Sequence, residues 1–167
     1  GLYVEASRHF TALLRELSPV VEQYSIDEAW VDMTGTQRLF GPPVIAADAL
    51  RRKVLEELGF TVNVGVSSNK LLAKMAGDFE KPNKVHTLFP EEIPAKMWPL
   101  PVRDLFLVGA ATERKLKMLG IYTIGDLAKA DAHLLQKKLG KHGQTIWHFA
   151  NGRNADAVKP VQEANKG

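Results

Sequence analysis

The chain contains no cysteine. That excludes a disulfide scaffold and a thiolate metal site, so any bound metal must sit on oxygen or imidazole, and it agrees with a reducing cytoplasm. No apolar run approaches the roughly 20 residues needed to cross a bilayer, and the opening Gly1-Leu2-Tyr3-Val4-Glu5 has no basic region followed by an apolar one. Neither a membrane partner nor an export signal is expected, and the expected location is the cytoplasm. Also missing are a P-loop with GK(S/T), an HExxH or GxSxG motif and a paired-cysteine zinc pattern. The common nucleotide-hydrolase, zinc-protease and serine-hydrolase chemistries therefore find no support.

What is present suits a globular protein: 167 residues, 45% of them hydrophobic, enough for one ordinary domain or two small ones. The net charge is only +3, but it is unevenly spread. Residues 1–80 carry 8 Lys and Arg against 11 Asp and Glu, whereas residues 81–167 carry 14 against 8. An acidic half beside a basic one fits a cation site next to a polyanion grip, and it also fits ordinary solubility.

The hydrophobic pattern divides the chain in the same way. Val4, Phe10, Leu13, Leu14 and Leu17 recur at helical spacing and predict an amphipathic helix from Tyr3 to Leu17, stopped by Ser18-Pro19. Val20 to Tyr24 and Ala29 to Met33 read as two short strands joined around Ser25-Ile26-Asp27-Glu28. A helix over 44–58 closed by Gly59, a strand over 60–66, a helix over 70–79 capped by Ser67-Ser68-Asn69 and a strand over 84–89 follow. This order predicts an α+β layer in which helices cover one face of a sheet of three or more strands. Prolines at 90, 94, 99 and 101 mark a change of style, after which only short helices with glycine corners are expected: 111–119, 124–130, 132–139 and 144–151. The tail from Arg153 shows little periodicity and is expected to be loose.

Two adjacent carboxylates, Asp27 and Glu28, fall at the predicted hairpin. Neighbouring strand residues point to opposite faces, so both can reach one ion only where the backbone bends. Taken alone the pair is either a solvated acidic turn or a site for a hard divalent cation such as Mg²⁺. Lys70 and Lys74 lie one helical turn apart, and Lys81 stands just past the helix end before a proline.

The strings around these residues carry more information than the residues. Residues 18–32, SPVVEQYSIDEAWVD, resemble the SIDEA(F/Y)LD motif of the Y-family (translesion) DNA polymerases of the DinB type. Residues 65–83, GVSSNKLLAKMAGDFEKPN, resemble the same family's G(I/V)xxNKxLAKxAS(D)xxKPNG, with Lys84 where the family usually has Gly and Gly77 where it has Ser or Ala. Residues 100–127 resemble its helix-hairpin-helix thumb, and residues 139–144, LGKHGQ, look like a second, shorter copy. The first hairpin has Leu107 where the family's GxG pattern puts its first glycine.

The resemblance implies a partial palm at 1–89, an all-α helix-hairpin-helix thumb at 90–156 and a linker at 157–167 toward a little finger that this chain lacks. It implies Asp27 and Glu28 as metal-binding catalytic residues, Lys81 and Lys74 as nucleotide contacts, and Gly109, Thr112, Arg114, Gly140, Lys141 and Gly143 as DNA contacts. Asp32 is read as structural. The implied cofactor is Mg²⁺, and the implied partners are primer-template DNA, a deoxynucleoside triphosphate and a sliding clamp reached through regions outside this chain. A chain that opens on Gly1 within a helical pattern reads as a piece cut after the fingers, without the first metal aspartate, and is expected not to polymerise by itself. The competing reading is a non-catalytic helix-hairpin-helix DNA-binding module on a palm-like scaffold.

Overall fold

The computed structural model describes residues 1–160, apart from the side chain of Tyr3. The chain opens with helix α1 (Leu2–Leu17), which leads into the antiparallel strands β1 (Val21–Gln23) and β2 (Ala29–Val31). A short helix α2 (Gln37–Phe40) precedes α3 (Pro43–Leu58); strand β3 (Val64–Val66), helix α4 (Lys70–Gly77) and strand β4 (Val85–Thr87) then form a β-α-β unit. Beyond it lie α5 (Ile93–Lys96), α6 (Ala110–Met118), α7 (Ile124–Lys129) and the long α8 (Ala132–Ala150), with 3₁₀ turns at Pro90–Glu92 and Val102–Asp104.

The local chemistry explains most boundaries. Pro43 opens α3 at a position where its missing N–H costs nothing, and Gly59 closes it in the left-handed region at φ +74°. Asn69 caps α4 by accepting the Leu72 N–H, and Thr123 caps α7 by accepting the Asp126 N–H. Asp126 answers by accepting the N–H groups of Tyr122 and Thr123, which hold its carboxyl below the usual range.

Two expectations are corrected. The single sheet of three or more strands is two separate pairs among the described residues, β1–β2 antiparallel and β3–β4 parallel. The strands are three residues long, too short to carry a continuous ladder, and helices hold the pairs in place. The helices expected at 132–139 and 144–151 stand as two segments within α8, meeting at a kink at Gly140, where φ of +66° and ψ of −145° lie outside the helical region. The expected loose tail, by contrast, is tied as far as it is described. The Arg153 guanidinium lies 4.8 Å from the Trp147 ring centroid, and the Lys159 N–H donates to Glu22 Oε1 at 2.6 Å. Of the linker expected at 157–167, residues 161–167 lie outside the described residues.

One hydrophobic core runs through both halves. Leu71, Leu72, Met75 and Ala76 of α4 and Leu88 cluster with Met97, Val102, Leu105, Leu116, Ile124, Leu127, Leu135 and Ile146. Helix α4 can lie close to β3 only because residue 65 has no side chain: a Cβ there would run into the Ala73 carbonyl and the Gly77 amide. Gly65→Ala should therefore lower stability by about 1–3 kcal/mol, the usual cost of forcing atoms into a packed interior. Urea unfolding measures it, and an unchanged midpoint would refute the close packing.

Candidate active site at the acidic turn

The β1–β2 hairpin sets the site. Its register pairs Val21 with Val31, Glu22 with Trp30 and Gln23 with Ala29, and the Tyr24 N–H continues it by donating to the Glu28 carbonyl at 2.9 Å. The connection is thus reduced to Ser25-Ile26-Asp27, and Glu28 is the first residue of the returning limb. The bend removes the strict up-down alternation that would have sent Asp27 and Glu28 apart.

Both carboxylates converge on one hydroxyl. Ser25 Oγ donates to Asp27 Oδ1 at 2.9 Å and lies 3.3 Å from Glu28 Oε2. Helix α1 braces the turn from behind, with the Ser7 hydroxyl donating to the Ile26 carbonyl at 3.1 Å, and within the hairpin the Gln23 amide donates to the Ser25 carbonyl at 3.1 Å. Both acidic residues are exposed, so a ligand can approach them.

Helix α4 presents its lysines to the hairpin. Lys74 Nζ sits 2.6 Å from Glu28 Oε1, and Lys70 Nζ sits 2.7 Å from Glu22 Oε2 and 4.4 Å from the Trp30 ring centroid. The Trp30 indole N–H donates to the Lys70 carbonyl, which fastens the second strand to the start of α4. Lys74 also lies 5.3 Å from the centroid of Tyr24 and 5.8 Å from that of Phe106. Burial pushes the Glu22 carboxyl up, but the Lys70 bond and the Lys159 N–H outweigh it and hold the group below the usual range.

Lys81 stands at the exposed end of the same unit, 3.0 Å from Asp78 Oδ1. That bond raises its pKa first, and the charges of Glu28 and Asp27 add to the effect, so its ammonium lies within the field of the acidic turn. A pair this exposed contributes roughly 0–1 kcal/mol, which leaves Lys81 free to exchange Asp78 for a stronger anion. Asp32 accepts the hydroxyl of Thr34 at 2.6 Å and its N–H at 2.9 Å. Its carboxyl is consumed in shaping that turn, in line with a structural reading.

The thumb-side residues form a separate group, and none of them hydrogen-bonds or ion-pairs with Asp27 or Glu28 among the described residues. Gly109 caps α6 with φ −88°, and an added Cβ would meet nothing within 4 Å, so the fold itself makes no demand for glycine there. Thr112 is half-buried in the first turn of α6, and Arg114 is exposed. Gly140 makes the sharp bend of α8, Lys141 is exposed beyond it, and Gly143 is buried where a Cβ would strike the Leu135 carbonyl. Glycine at 143 is therefore required by packing alone.

Sequence reasoning gave no role to Ser25, Tyr24 or Phe106. Ser25 sat in the quoted motif, two residues before Asp27, and that spacing in a turn was a usable signal. Phe106 had none, because it meets Lys74 only through the tertiary fold.

Asp27 and Glu28 offer hard oxygen donors, which suit Mg²⁺, an ion bound by one or two carboxylates with phosphate and water completing its shell. No third His, Asp or Glu joins them in a cluster among the described residues. The donor chemistry fits, and the described residues offer two carboxylates to the shell.

Comparison with known proteins agrees with this geometry. Residues 1–78 match the model of the impB/mucB/samB family, and residues 103–154 match that of the DNA polymerase-iota thumb domain. DNA polymerase IV of Clostridium acetobutylicum is 48% identical over 150 residues, covering 90% of this chain and 38% of that protein. DNA polymerase IV 2 of Bacillus subtilis is 44% identical over 153 residues, covering 90% and 37%. The crystal structure of DinB from Sulfolobus solfataricus superposes with a TM-score of 0.81 at 28% identity, covering 95% of this chain and 47% of that one. The chain belongs to the Y-family of DNA polymerases, of the DinB type. It spans well under half the length of the curated relatives it matches.

Two predictions follow from this geometry. Leu107 holds φ +72°, a left-handed conformation that costs a non-glycine residue roughly 1–2 kcal/mol, and its side chain is half exposed. Leu107→Gly should stabilise the chain by about 0.5–1 kcal/mol once the extra freedom of glycine in the unfolded state is deducted; a lower unfolding midpoint would mean that the leucine side chain packs. Glu22, held low when folded, contributes stability that is present above the ordinary glutamate range and is lost as pH falls through its lowered value. Glu22→Gln should flatten the acid limb of a stability-versus-pH curve, and an unaltered limb would count against the Lys70 and Lys159 contacts.

Proposed function

We propose that the whole protein is a template-directed DNA polymerase of the translesion type, a nucleotidyltransferase that extends primers past damaged bases in DNA repair. Residues 1–89 would be the C-terminal part of its palm and residues 90–156 its helix-hairpin-helix thumb, with 157–167 leading to a further domain. The observation that carries this reading is the convergence of Asp27 and Glu28 on Ser25, with Lys74 bonded to Glu28 and Lys81 inside the same field. A purely scaffolding role for this half gives no reason to gather exposed carboxylates and lysines at one turn.

Asp27 and Glu28 would hold Mg²⁺, which when bound acidifies the attacking 3′-hydroxyl and neutralises charge on the triphosphate. Ser25 keeps the two carboxylates together. Lys81, released from Asp78, meets the triphosphate as a point charge, and Lys74 adds a second positive charge beside the carboxylates. On the thumb, the amides at Gly109 and Gly140, with Thr112, Arg114 and Lys141, would take duplex phosphates. Gly109 supports this, since a glycine that the fold does not need is explained by close approach of a ligand. Gly143 would add only its backbone. The partners are then primer-template DNA and a deoxynucleoside triphosphate, a sliding clamp would be engaged outside these residues, and the site of action is the cytoplasm.

Binding of the isolated chain to duplex DNA should weaken steeply with salt. Arg114→Ala and Lys141→Ala should each reduce the magnitude of the log–log salt slope by about 1. With only two metal carboxylates, the isolated chain should extend no primer. In a full-length polymerase carrying this segment, Asp27→Ala should abolish primer extension and leave duplex affinity within about twofold, since phosphate contacts on the thumb are untouched. Robust extension by the Asp27 variant, or affinity indifferent to salt, would defeat the reading.

A further inference from the structure

The Lys74–Glu28 pair is asymmetric. The Lys74 side chain is 17% exposed and that of Glu28 is 44%, so the ammonium is the enclosed partner and the carboxylate the accessible one. An enclosed ammonium whose only stabiliser was Glu28 would resist giving up that contact, because an unpaired buried charge is expensive. Lys74 has a second stabiliser. Its Nζ lies 5.3 Å and 5.8 Å from the ring centroids of Tyr24 and Phe106, inside the range of about 6 Å over which an aromatic face attracts a cation. The two rings pack edge to face, 5.9 Å apart, and so form one wall. Phe106 comes from the segment leading into α6, whereas Tyr24 comes from the hairpin.

We propose that Lys74 is an internal counter-cation of the acidic turn: it holds the Glu28 carboxylate when no divalent cation is bound, competes with that cation for the carboxylate, and passes to the Tyr24–Phe106 wall when Glu28 is taken. This rests on the proposal that Asp27 and Glu28 bind a divalent cation. The mechanism is a direct exchange of positive charges on one oxygen pair. It keeps two adjacent carboxylates ordered in the free protein, where mutual repulsion would drive them apart, and it lowers their affinity for an ion. The aromatic wall reduces the penalty of the exchange, and because half of that wall belongs to the segment entering α6, thumb position and cation affinity are linked.

The simpler role, in which Lys74 only positions Glu28, predicts the opposite sign, and that decides the test. Terbium(III), a hard oxygen-seeking ion whose luminescence is sensitised by nearby Trp and Tyr, is titrated into the purified chain and displaced with Mg²⁺. Lys74→Met retains the length and apolar stem and removes the charge, and Lys74→Gln serves as a second neutral variant if the first fails to fold by circular dichroism. Both neutral variants should bind terbium about 10-fold tighter or more, as expected for removing a unit charge next to a ligand oxygen. Phe106→Leu, which takes away one face of the wall and leaves the charge, should bind about 2–3-fold more weakly, the scale of one exposed cation–π contact. Unchanged or weaker binding by the neutral Lys74 variants, with wild-type binding still lost in Asp27→Asn, would overturn the counter-cation role and leave the metal site standing. Terbium binding that survives both Asp27→Asn and Glu28→Gln would remove the metal site, and the proposal with it.

Discussion

The close seating of α4 against β3 is the constraint on which both halves of the molecule depend. It is possible because Gly65 leaves room for the backbone of α4 at Ala73 and Gly77. Once seated, the helix has two working faces. Leu71, Leu72, Met75 and Ala76 point into the core shared with α6, α7 and α8, while Lys70 and Lys74, one turn apart, reach the β1–β2 hairpin. Asn69 ties the start of the helix down twice, accepting the Leu72 N–H and donating to the Gly152 carbonyl. A shift of α4 would therefore move the acidic turn and the end of α8 together.

The hairpin itself has little to hold it. Two strands of three residues are marginal in isolation, and no neighbouring strand pairs with them among the described residues. Their stability is borrowed through side chains. Lys70 joins Glu22, Trp30 donates to Lys70, and α1 braces the loop through Ser7. An aromatic series completes the attachment: Trp30 packs on Tyr24, Tyr24 on Phe106 and Phe106 on Phe149. The series starts on the second strand of the hairpin and ends near the last turn of α8, so the turn that carries the carboxylates is anchored on the helices proposed to hold DNA.

Features governed by neighbours in sequence were readable from it, and features governed by distant contacts were not. The hairpin at Ser25–Glu28, the start of α4 at Asn69 and the end of α3 at Gly59 rest on caps, turns and periodicity, and they stand where local chemistry put them. The division into two strand pairs was invisible, because pairing partners are chosen by the packing of helices between them. The corner at Gly140, by contrast, was legible: a glycine in a conformation that other residues rarely adopt separates the two helical segments of α8. At the site, Asp27 and Glu28 stood out through the motif around them. The bond from Lys74 to Glu28 spans 46 positions and had no local signature.

Leu107 and Gly140 bring these points together. Both take positive φ just before a helical segment, at +72° and +66°, and both positions sit in the hairpins proposed to contact DNA. Gly140 adopts that conformation without penalty, whereas Leu107 must be held in it by its surroundings. The holding is supplied by its neighbours: Leu105 and Val108 are buried in the shared core, and Phe106 is fixed between Tyr24 and Phe149. The strain at Leu107 is thus sustained by the same contacts that join the acidic turn to the helices. Loosening Phe106 would relax the first hairpin and withdraw one wall from Lys74 in a single step.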